Sequence, residues 1–208
     1  MSISAVIHRI TLTKVQALLT GAALLVLTGC ASQTVQTSSY LLPTSTPEQQ
    51  YSNALAVAIA PIRLSGLLDN PGIVMEINDI EVHQARHHLW AEDIGVQLQQ
   101  QLQQHLILSL PQAQIVAKGQ PLHADLPQRE VRVSVNAFQG SYNGNAIVQG
   151  QWLLLGDQGQ LLKQHNFRVE QPLATDGYPS LVRALASAWN QVSEQLAMTL
   201  AKETPSSR

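Results

Sequence analysis

Two apolar spacings run along the chain, one with period two and one with period three to four. Ala54 to Ala60 is apolar without a break and is bounded by Asn53 and Pro61, as a strand buried on both faces would be. Residues 61–72 hold two prolines, two glycines and three leucines and read as a loop. Ile73–Asn78 and Ile80–His83 flank Asn78-Asp79 and predict a short hairpin. Ile94, Leu98, Leu102, Leu106 and Leu110 recur every fourth residue up to Pro111, which predicts a helix with one buried stripe. The glutamines at 97–104 sit between those leucines, so they belong to the helix and are not a low-complexity tract. A short strand follows at Gln114–Ala117, then a polar loop from Lys118 to Gln128.

Period two takes over next. Val131, Val133, Val135 and Ala137 alternate with Arg132, Ser134 and Asn136. A turn at Tyr142–Asn145, a strand at Ala146–Leu155, a turn at Gly156–Gly159 and a strand at Leu161–Val169 complete a three-stranded antiparallel meander. Tyr178, Leu181, Val182, Leu185, Trp189, Val192 and Leu196 then return to spacings of three and four, with Pro179 where a first turn tolerates it and Asp176 near the cap. The sum is an α/β fold: a single-domain sandwich with a mixed, mostly antiparallel sheet and two main helices packed on it.

The N-terminus follows other rules. Residues 1–14 carry His8, Arg9 and Lys14 and no acidic side chain. The apolar run from Val15 to Leu27 is shorter than the ~20 residues of a spanning helix, and it closes on Leu27-Thr28-Gly29-Cys30. That pattern is a lipobox: residues 1–29 read as a lipoprotein signal peptide, and Cys30 becomes the acylated first residue. Cys30 is the only cysteine, so disulfides and cysteine metal sites are excluded. Ala31 follows it, where an Asp would favour the inner membrane, so the expected address is the periplasmic face of the outer membrane. Residues 30–53 read as a lipidated flexible tether, interrupted by the apolar Tyr40–Pro43, and 54–203 as the domain, with a polar, frayed end after Lys202.

Charge adds little. Twelve basic residues against fourteen acidic give net −2, with no basic patch of the kind nucleic acid requires. His83, His87 and His88 lie close together but in strand-to-loop text without a metal-binding motif, so solvated histidines are expected and no metal. No G-x-S-x-G occurs, Gly156–Gly159 is a hairpin turn and not a phosphate cradle, and Glu92-Asp93 suit a helix start. No enzyme and no cofactor is expected. Leu64, Leu67 and Leu68 stand in the loop. They are either an exposed partner-binding patch or side chains tucked against the domain.

The lipobox, Tyr40-Leu41-Leu42-Pro43, the early strand ending at Pro61 and Leu89-Trp90-Ala91 resemble the ABC-transport auxiliary lipoprotein family. So do Phe138 to Gly144, Val148 to Leu153, Gly159-Gln160-Leu161 and Asp176-Gly177-Tyr178 leading to Trp189. The resemblance covers essentially the whole mature chain. It implies an outer-membrane lipoprotein that docks a periplasmic MCE-domain tunnel protein, together with an inner-membrane component, in a lipid-transport route that supports the envelope. It also implies a homo-oligomer, and it supplies no catalytic residue. The alternative, from another class, is a stand-alone envelope lipoprotein that binds a small ligand or cell-wall fragment in its own pocket.

Overall fold

The computed structural model describes residues 36–203; the signal peptide and Cys30 lie outside the described residues. Nine strands and two helices follow in chain order: β1 (Ser38–Tyr40), β2 (Ala56–Ile59), β3 (Arg63–Leu64), β4 (Gly72–Glu76), β5 (Val82–Trp90), α1 (Ile94–Ser109), β6 (Gln114–Ala117), β7 (Gln128–Gly140), β8 (Asn145–Leu155), β9 (Leu161–Pro172) and α2 (Tyr178–Ala201). All strands join one mixed sheet. Its two longest ladders, β7 with β8 and β8 with β9, are antiparallel.

Strand β7 is the spine. One edge pairs with β8 along nearly its whole length. The other edge takes β2, β3 and β4 in succession, all parallel to it. Beyond β2 lies β6, and beyond β4 lie β5 and then β1. The residues of β2 are all buried, and this short strand is parallel to neighbours on both sides. In β7, Val131, Val133 and Val135 are buried while Arg132 and Asn136 are exposed, so one face of the sheet meets the helices and the other faces water. The free edge of β9 carries Lys163, Arg168 and Glu170 and ends at Pro172, features that discourage a stray strand from pairing there.

The stripe of α1 is buried as its spacing requires, from Ile94 through Leu110. Asp93 caps the helix, its Oδ1 accepting the Val96 N–H at 3.0 Å. Helix α2 begins after Gly177 (φ 102°) without a side-chain cap, so Asp176 does not cap it. Trp189 of α2, fully buried, donates its indole N–H to the Leu98 carbonyl of α1 at 3.1 Å. His105 meets Glu194 further along both helices, so α1 and α2 run in the same direction.

Two expectations need correction. Residues 38–53 are not free tether: β1 pairs with β5, Leu42 is buried, and the following segment lies along the helices. The physical cause is Tyr40 and Leu42, apolar side chains that gain more from burial than a polar linker would. The loop leucines are likewise not an exposed patch. Leu68 is 4% exposed, while Leu64 and Leu67 are half-buried against the core. Arg63–Leu64 is itself a short strand.

Candidate functional site

The segment that follows β1 is held by a row of amide side chains. Gln97 is buried, its Oε1 accepting the Leu42 N–H at 2.9 Å and its Nε2 donating to the Glu92 carbonyl at 2.8 Å. Gln101 donates to the Leu42 carbonyl at 2.8 Å. Further on, the Tyr51 N–H donates to the Ser109 carbonyl at 2.7 Å, and Asn53 Nδ2 donates to the Leu200 and Glu203 carbonyls at the end of α2. An amide both donates and accepts, so these side chains satisfy a backbone that enters no ladder. Residues 42–53 thus form a strap laid along α1 and α2.

Under the strap sits a cluster of polar side chains. Glu194 of α2 accepts the Tyr51 hydroxyl proton on one oxygen (2.5 Å) and faces His105 Nε2 on the other (2.9 Å). The hydrogen bond to Glu194, helped by burial and by the carboxylate charge, pushes the Tyr51 phenol up to about 12. His105 is buried, and its Nδ1 has no partner, which fits a ring that carries its proton on Nε2, toward the carboxylate. Beside the cluster is a groove of about 600 Å³ lined by Thr46, Gln49, Tyr51, Asn190, Glu194 and Met198, among others. Its walls mix hydroxyls, amides and carboxylates with the apolar parts of Pro47, Tyr51 and Met198. Sequence reading missed all three cluster members. The one available signal was His105, a polar residue beside Leu102 and Leu106 in the buried stripe.

A second cluster ties the sheet edge to α2. The Tyr40 hydroxyl lies 2.9 Å from His88 Nδ1. The His88 ring stacks on Tyr178 with centroids 3.9 Å apart. Burial, and then the nearby Tyr40, raise the Tyr178 phenol above its ordinary value. His88 is therefore a packing residue, while His83 and His87 are exposed on the same strand. Among the described residues, no three His, Cys, Asp or Glu side chains gather as metal ligands.

The sequence matches the family described as "ABC-type transport auxiliary lipoprotein component" over residues 40–197. The chain belongs to this family. The match starts at Tyr40, at β1, which agrees with the strap being part of the family's domain. The chain is also 33% identical over 181 residues to the intermembrane transport lipoprotein PqiC of Escherichia coli (strain K12), covering 86% of this chain and 94% of that one. The PqiC protein of Shigella flexneri matches to the same extent. Among solved structures, an uncharacterized protein superimposes with a TM-score of 0.69 at 31% identity, covering 79% of this chain and 99% of that one. A protein from Xanthomonas campestris shares the fold, with a TM-score of 0.64 at 19% identity over 78% of this chain and 95% of that one.

Proposed function

We propose that this protein is an outer-membrane lipoprotein, acylated at Cys30, that docks a periplasm-spanning MCE-type lipid-transport complex at that membrane. Its partners on this reading are an MCE-domain tunnel protein and an inner-membrane component, and its own state is a homo-oligomer. The observation that carries the reading is the match across nearly the full length of an intermembrane transport lipoprotein, joined to Leu27-Thr28-Gly29-Cys30 at the end of the leader. Ala31 supports the outer membrane. The role is one of interaction and not of catalysis, since the family is one of transport auxiliaries.

The test is an affinity pull-down of the acylated protein from gently solubilised envelopes, read by mass spectrometry. Recovery of an MCE-domain protein is expected. Recovery of the bait alone at several detergent strengths would overturn the docking role. It would favour the second reading, a stand-alone binder of a small ligand or cell-wall fragment, for which the groove beside Tyr51 and Glu194 is the natural seat.

A further inference from the structure

The hairpin that joins β4 to β5 is built to present one apolar side chain to its surroundings. Ile80 is 91% exposed, with Ile77 and Val82 about half exposed on either side of it. The tip is held firmly. Asn78 Oδ1 accepts the Ile80 and Glu81 N–H groups at 3.0 and 2.9 Å, and the Ile77 N–H donates to the Glu81 carbonyl at 2.8 Å. Among the described residues, packing leaves Ile80 almost wholly exposed.

The register of the sheet relates this tip to the anchored end of the chain. Strand β1 is parallel to β5, Ser38 opposite His88 and Tyr40 opposite Trp90. Thr37, just before Ser38, therefore lies on the side of Val82 and the hairpin. Thr37 Oγ1 already stands 3.5 Å from His87 Nδ1. Extended chain spans at most ~3.6 Å per residue, so the stretch from Cys30 to Thr37 has a full reach of about 25 Å. The strand from His87 back to Val82 covers no more than ~18 Å. An acyl anchor on Cys30 thus keeps the membrane surface within reach of the tip. Because β4 and β7 are parallel, the turn after β7 lies at the same end of the sheet, and its Tyr142 is 54% exposed. The exposed Leu161 begins β9 at the opposite end.

We propose that the β4–β5 hairpin, through Ile80, touches the bilayer that holds the anchor, and so sets the end of the domain that faces the membrane. The proposal rests on acylation of Cys30. Its chemistry is specific: Asp79 and Glu81 flank Ile80, and carboxylates do not enter hydrocarbon. Contact is therefore limited to the headgroup boundary, where a zwitterionic phospholipid with an ammonium group suits both the carboxylates and the isoleucine. Tyr142 is of the aromatic type that favours this depth.

The experiment uses the mature acylated protein with Ile80→Cys, in vesicles of mainly phosphatidylethanolamine with some phosphatidylglycerol. Acylation consumes the Cys30 thiol, so the new thiol alone takes an environment-sensitive fluorophore. The result expected is a severalfold rise in emission on vesicle binding and quenching by spin-labelled lipid. A label at Asp157→Cys, in the turn at the opposite end, should stay water-like. A water-like Ile80 label on protein that is acylated and vesicle-bound would overturn the hairpin contact while leaving the lipoprotein reading intact. An N-terminal peptide mass without acyl chains would remove both together.

Discussion

Tyr51 keeps its phenolic proton because Glu194 waits for it as an acceptor, and that has a measurable consequence at high pH. The folded-state value of about 12 stands above the ordinary 10.0. As pH rises past 10, the tyrosine of the unfolded chain ionises first. The cluster's contribution to stability is therefore fully present below pH 10 and lost between 10 and 12. Urea midpoints across that range should fall more steeply for the wild type than for Tyr51→Phe. Parallel slopes would show that the phenol does not report on folding. The residues of this cluster were not legible in the sequence because Tyr51 and Glu194 are 143 positions apart, and one sequence gives no hint of such a pairing. The leucines at 64, 67 and 68 stayed open between two readings for a different reason. Loop-like text fixes the backbone's irregularity but not which way its apolar side chains turn, and burial decided for the core.

Among elements, the meander is the most exposed to a small insult. Gly150 of β8 lies next to the irregular register opposite Val135 and Ala137. A Cβ there would collide with the Ser134 carbonyl oxygen and come within 2.7 Å of the Phe167 ring. Phe167 is itself buried. Gly150→Ala should cost ~1–3 kcal/mol by overpacking, read as a lower urea midpoint with an unchanged slope. Alanine at Gly144, in the turn after β7 with φ 80° and open space, would act by backbone strain alone.

The elements themselves were largely written in the spacing. The four-residue leucine period gave α1, the alternation gave β7 and β8, and the mixed period gave α2. Two things were not. Strand β5 holds a large irregularity, because Gln84 pairs with Val74 while Leu89 pairs with Gly72. The extra residues on β5 break the alternation that would have marked one long strand through Trp90. The strap was hidden because its hydrogen bonds come from glutamines on α1, whose sequence pattern is that of a solvated helix face.

At the scale of the whole molecule, the core of the described residues is assembled from Leu42 to Leu200, well after the proposed anchor. The proposed anchor and the fold are therefore separable. Cys30→Ser should leave circular dichroism and thermal midpoint unchanged while moving the protein from the membrane fraction to the periplasmic extract. Loss of the folded signal would mean that the lipid contributes to stability. Family and fold class were both legible at this scale, the first from short motifs in order, the second from the sequence of elements. The succession of β2, β3 and β4 on one edge of β7 was not, because spacing within a strand says nothing about its neighbour.

That shared edge also constrains when the protein can fold. Strands β2, β3 and β4 all precede β7 in the chain, yet each needs it as a hydrogen-bonding neighbour. A chain emerging N-terminus first presents the apolar Ala56–Ile59 long before its partner at 128–131 arrives. Contacts of such long sequence separation close slowly, because the loop entropy is lost before the pairing compensates for it. Until residue 140 has passed, these strands lack that hydrogen-bonding neighbour. The β7–β8 hairpin is the first long pairing with local connectivity, and the other edge of β7 is where the earlier strands add.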